Sequence, residues 1–195
     1  MFIDSKLNWS NHINHISLKI SKGLGIICRF RNVMPHHILL ALYYTLIYPY
    51  LNYCNIIWGC AKASILHKLI ILQKRAVRII TSSPYLSESS PLFRRLRLIK
   101  ITDIHKLQVA LFMHKIKFQL LPVSCLQYFK LNTHRVYATR QKYYFDIATF
   151  RINIRERSIA INGPRLWHSL SNNLQDCTSL NTLKRLIVES FLNVY

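Results

Sequence analysis

Acidic residues are what this chain lacks. Between residues 5 and 87 there is no Asp or Glu, against ten Lys and Arg. Over all 195 residues, seven acids face twenty-seven Lys and Arg, a formal net charge of +20. Metal-assisted phosphoryl chemistry needs clustered carboxylates to hold its cations, so the acid-free run excludes such a centre within it. Glycine is scarce as well. With four in the chain, no Gly-rich phosphate loop or dinucleotide fingerprint can be assembled. A nucleophile elbow and a Cys-His-acid set are also missing, which leaves nucleophilic catalysis without support.

The gaps between the cations are filled by Ile, Leu, Val, Tyr and Trp. Half of the residues (51%) are apolar, far too many for a disordered basic tail. An ordinary domain surface mixes both signs of charge. A folded, basic, acid-free segment points instead to a polyanionic partner, with nucleic acid foremost. Biased base composition would enrich Ile, Asn, Lys and Tyr, as seen here, but explains neither the loss of acids nor the fourteen Arg.

Cys28, Cys54, Cys60, Cys125 and Cys177 are odd in number and widely spaced. Asp4 and Lys6 follow Met1 closely, leaving no room for the apolar core of a signal peptide. The expectation is an intracellular protein, in nucleus or cytoplasm, with reduced cysteines packed as small apolar residues. Residues 38–57 carry no charge and are long enough to span a bilayer. Pro49, Asn52, Asn55 and five tyrosines lie inside that stretch, which favours a buried core helix over a membrane anchor.

Along the chain the pattern is helix after helix. Trp9, Ile13, Ile16, Ile20, Leu24 and Ile27 recur at spacings of three and four, predicting an amphipathic helix to about Phe30. Pro35 opens a second helix through Leu39, Leu42 and Leu46, which Pro49 interrupts, and Gly59 closes the unit. A third helix over 64–80 stops at Thr81-Ser82-Ser83-Pro84. A short helix over 92–98 follows, then a long one capped by Thr102, with Leu107, Leu111, His114 and Phe118 on one face, ended by Pro122. Periodicity fades over 130–142, a candidate linker. Residues 151–161 alternate and predict a strand, paired with 143–147. Asn162-Gly163-Pro164 reads as a turn into a short helix through Trp167. Ser179 caps a final helix carrying Leu180, Leu183, Ile187 and Phe191.

The third helix is the most telling. At 100° per residue, Lys68, Lys74, Arg75 and Arg78 fall within an arc of about 120°, beside an apolar arc of Ile65, Leu69, Leu72, Ala76, Ile79 and Ile80. A row of cations on one helix face neutralises phosphates without reading sequence. A merely solvated charged face usually brings Glu at helical spacing, and none is present. Lys19 and Lys22 on the first helix are further candidates. Arg94 and Arg95, with Arg97, make another dense patch, and Arg151, Arg155 and Arg157 would share one face of a strand. His12 and His15, or His36 and His37, lack a third ligand at metal-site spacing, so no metal is assigned.

The string Leu42-Tyr43-Tyr44-Thr45-Leu46-Ile47-Tyr48-Pro49-Tyr50-Leu51-Asn52-Tyr53-Cys54-Asn55-Ile56-Ile57-Trp58-Gly59 resembles the region after the catalytic palm in reverse transcriptases of non-LTR, LINE-type retrotransposons, especially the jockey-like group. Leu72-Gln73-Lys74-Arg75-Ala76 is similar to that family's Leu-Gln-Lys-Arg-Ala helix. Pro91-Leu92-Phe93 with Leu96 and Asp103, and then Thr139-Arg140, resemble the next blocks. Gly163-Pro164-Arg165-Leu166-Trp167 with Ser169-Leu170 resembles the Gly-Pro-x-x-Trp-Asn-Ser-Leu-Pro motif, with His168 and Ser171 in place of Asn and Pro. Phe2 to Ile13 resembles the family's segment ending Trp-x-x-His-Ile. The blocks stand in the family's order along nearly the whole chain.

The resemblance implies a mainly α fold: the end of the palm and a helical thumb-like bundle over 1–120, then a small α+β region over 121–195 with a short β-hairpin. It implies a C-terminal fragment of an RNA-directed DNA polymerase that binds RNA template and DNA primer. The upstream palm and fingers, with the paired aspartates for Mg, have no counterpart here. This chain alone is therefore expected to have no polymerase activity, no cofactor and no small-molecule ligand. Two alternatives stay open: a stand-alone or domesticated helical nucleic-acid-binding or interaction protein, and a membrane protein anchored by 38–57.

Overall fold

The computed structural model describes residues 1–5, 7–129, 145–147, 149, 151 and 153–195. Two compact units emerge, one of Met1–His105 with Glu189–Tyr195, the other of Lys106–Val188.

In the first unit, Asp4 folds back so that its carboxylate accepts the amides of Asn8 (3.1 Å) and Trp9 (3.2 Å). An acid at that place satisfies free amides ahead of a helix start and suits its dipole. Helix α1 (Ser10–Phe30) follows. Each of Ile13, Ile16, Ile20, Leu24 and Ile27 is buried, as their spacing predicts, and Trp9 joins them. Pro35 precedes α2 (His36–Leu46), which stops before Pro49; α3 (Tyr48–Asn52) takes that proline in its first turn. A short α4 (Asn55–Trp58) ends at Gly59. The 38–57 stretch is thus divided among three helices, and among the described residues no helix is long and apolar enough to cross a membrane.

Gly59 is required by crowding rather than by backbone conformation, since its φ is −65°. A Cβ there would stand 2.5 Å from Nδ1 of His105 and closer still to Oδ1 of Asn55. Helix α5 (Ala63–Ile80) packs chiefly on α1 and also meets α2. Its end is tied to the start of α2 by His36, whose Nδ1–H donates to the Ile80 carbonyl (2.5 Å). Beyond it come α6 (Ser90–Arg95) and α7 (Ile101–Lys117).

In the second unit, the later turns of α7 are followed by α8 (Val123–Leu126), α9 (Asn153–Glu156), α10 (Ile159–Ser169), α11 (Asn172–Gln175) and α12 (Leu180–Val194). The boundary between the units falls inside α7 and inside α12. Trp167 is fully buried, with Phe145 and His114 each 6.4 Å from it between ring centroids. His114 lies on the apolar face and its Nε2–H donates to the Cys177 carbonyl at 2.9 Å. Ser179 caps α12 as expected, its hydroxyl accepting the Thr182 amide at 3.5 Å.

The mainly α class holds, and the β-hairpin does not. Residues expected as a strand over 151–161 supply α9 and the opening of α10, and there is no strand among the described residues. Arg151, Arg155 and Arg157 consequently do not project from one strand face. The alternation there is too short to outweigh the longer signal beyond it: Ile161, Pro164 and Trp167, at helical spacing, are all buried. Asn162-Gly163-Pro164 is no turn either, but lies within α10. Proline there forfeits one helical hydrogen bond. Gly163 shows what the motif supplies in return, because a Cβ on it would stand 2.6 Å from Sδ of Met113 on α7. Thr102 does not cap α7, which begins one residue earlier. The candidate linker over 130–142 and the Thr139-Arg140 block lie outside the described residues, as do Tyr143 and Tyr144.

Candidate nucleic-acid interface

The cations of α5 are held by the helix's other side. Leu66, Leu69, Ala76, Val77, Ile79 and Ile80 are buried and fix its rotation. Gln73 is buried among them, 1% exposed, and was not singled out by the hydrophobic pattern. Its Nε2 donates to the Tyr43 hydroxyl and to the Ile99 carbonyl, each at 3.0 Å. Its Oε1 accepts the Ile101 amide at 2.9 Å. One side chain thereby joins α2, α5 and the first turn of α7. Burial pushes the Tyr43 phenol well above its ordinary pKa, so it stays a neutral donor and acceptor.

With that face anchored, Lys68 and Arg75 are exposed and Lys74 and Arg78 half-exposed on the opposite side. Lys68 Nζ donates to Asn14 Oδ1 (3.0 Å), and Arg78 Nε donates to the Ser87 carbonyl (2.9 Å) with its guanidinium over the Tyr85 ring. Among the described residues none of the four pairs with a carboxylate; the ion pairs at Lys117–Asp176 and Arg165–Glu156 lie in the second unit. The row is pre-positioned but not neutralised. Lys68 to Arg78 covers roughly 15 Å of helix axis.

Beside this row runs a groove of about 310 Å³ between α1 and α5. Leu24 and Leu72 form apolar parts of its lining, and Arg29 and Arg75 line it from the two helices. A Cβ on Gly25 would meet nothing, so the groove is open above that residue. Arg29 was missed in the sequence; Ser21, Gly25 and Arg29 at intervals of four on one ridge are the signal that could have found it. Lys19 and Lys22 are exposed on α1 but do not line this groove. Arg94 and Arg95 lie on α6 and are both exposed. Arg151 and Arg155 are exposed and Arg157 half-exposed in the second unit.

Titratable chemistry is sparse. His12 and His105 are buried and their pKa values are lowered, chiefly by desolvation. Among the described residues no group of three His, Cys, Asp or Glu gathers that could hold a metal ion. None of the five cysteines is in a disulfide, and Cys28, expected to pack inside, is exposed beside Arg29 in the groove. Comparison with protein-family models, with curated proteins and with solved structures finds no match to this chain.

Proposed function

We propose that this chain is a nucleic-acid-gripping, thumb-like part of a retrotransposon reverse transcriptase of the non-LTR type, binding the template–primer backbone without catalysis of its own. The observation that carries it is the unneutralised row of Lys68, Lys74, Arg75 and Arg78 on a helix whose other face is locked into a core. Phosphate contact needs cations that are fixed in register and free of carboxylates, and it needs no base-reading side chains. The block-by-block resemblance around Leu72-Gln73-Lys74-Arg75-Ala76 supports the particular family. Under this reading Mg belongs to the missing palm, and the partners are an RNA template and a DNA primer.

The test is binding of a labelled RNA–DNA primer–template across a salt series. Four phosphate contacts give a log–log slope of about −3.6 for a duplex, and Lys74→Gln with Arg75→Gln brings it to about −1.8. A slope near zero, or one that the double variant leaves unchanged, defeats the proposal. Reading the genomic sequence upstream of Met1 separates the family assignment from a stand-alone nucleic-acid-binding protein. Palm motifs in an open or decayed frame support the first; an unrelated promoter and exon support the second.

A further inference from the structure

A second cleft, about 180 Å³, lies where α5, α6 and the start of α7 meet. Lys74 and Lys100 line it together with the hydroxyl residues Ser89, Ser90 and Thr102, and no carboxylate lines it. Two acids neighbour the lining residues in sequence: Asp103 accepts the Tyr195 hydroxyl at 2.5 Å, and Glu88, next to Ser89, is exposed. Lys100 is held in place, its Nζ donating to Ser90 Oγ (3.1 Å) and lying 4.0 Å from the centre of the Tyr195 ring. Ser89 is 6% exposed, yet its hydroxyl makes no capping bond to α6. A buried residue whose hydroxyl has no capping role and two ammonium groups share one small space, while the first amide of α7 is already taken by Gln73.

We propose that this cleft seats a single phosphate group. Two ammonium groups supply charge-assisted bonds, and the hydroxyls fill the remaining oxygen positions without adding charge. The volume is enough for one tetrahedral oxyanion with its ester substituent. Resting on the nucleic-acid reading above, the phosphate is a backbone phosphodiester that Lys74 shares with the cation row of α5; the other source of the same chemistry is free phosphate.

The experiment titrates inorganic phosphate into the purified chain at constant ionic strength with chloride as balance, followed by calorimetry and phosphorus NMR. Saturable one-site binding is expected, weakened about tenfold or more in Lys74→Gln and unchanged in Lys62→Gln, at an exposed position outside the cleft. Ser90→Ala, checked for native circular dichroism, is the second variant and is also expected to weaken binding. Unsaturable binding, equal competition by chloride, or indifference to both cleft variants overturns the seat. Competition with an RNA–DNA duplex then separates the sources. A duplex that displaces phosphate supports the backbone source. Saturable phosphate with no duplex binding keeps the seat as a free-phosphate site and removes the nucleic-acid function. Duplex binding with its full salt slope but no saturable phosphate removes the seat and leaves that function standing.

Discussion

Replacing Gln73 with Met keeps the volume of a buried side chain and removes all of its hydrogen bonding. The Tyr43 hydroxyl, the Ile99 carbonyl and the Ile101 amide each lose their partner on that residue. A buried polar group left unpaired costs about 1–3 kcal/mol, and with partial relaxation the three together cost about 3–5 kcal/mol. That is a large share of the roughly 5–15 kcal/mol that holds an ordinary domain folded. Urea unfolding followed by circular dichroism reads the loss as a lower midpoint at an unchanged slope. Tyr43→Phe alone should cost about 1 kcal/mol, and the double variant less than the sum, because the phenol no longer waits for a partner. Gln73→Glu adds a pH signature. The buried carboxyl has its pKa raised by desolvation, so the variant is least impaired below the unfolded carboxyl range and loses stability as pH rises. If Gln73→Met loses less than about 1 kcal/mol, or the cycle with Tyr43→Phe shows no coupling, Gln73 is not the clasp between α2, α5 and α7.

Gly163→Ala should destabilise by about 1–3 kcal/mol through overpacking on Met113, and Met113→Ala in the same chain should relieve part of the strain; additive losses in thermal melts would count against the close approach. Acid should weaken the fold before carboxylates titrate. His12 and His105 have folded-state pKa values below the unfolded value of about 6.5, so the unfolded chain binds protons more readily. Their neutral-state stability is complete above that pH and is lost as pH falls through it. His12 carries two buried ring nitrogens without partners, so His12→Leu should flatten the fall in urea midpoint between about pH 7 and 5. A midpoint that rises on acidification would refute this reading.

Much of the first unit was legible because its helices are amphipathic over many turns. The spacing of Ile13, Ile16, Ile20, Leu24 and Ile27 picked out the buried face of α1. Pro49 and the Thr81–Pro84 cluster placed interruptions correctly, and the arc of Lys68, Lys74, Arg75 and Arg78 is the outer face of α5. Near the C-terminus the signals were short. A few alternating residues after Arg151 and an Asn-Gly-Pro triplet satisfy local rules for strand and turn, yet the burial of Ile161, Pro164 and Trp167 favours helix.

The sequence by itself determined a helical, strongly basic chain with its cations on one side of a central helix. Periodicity and charge are local quantities, and each turn of helix repeats the same evidence. The tertiary structure alone decided which polar groups meet. The first amide of α7 is satisfied by Gln73, twenty-eight residues earlier in the chain, rather than by the neighbouring Thr102. Gly163 is small because Met113 comes close, and Arg29 and Arg75 line one groove because α1 and α5 pack side by side. Such partners are set by the docking of distant segments, and no window of sequence contains both.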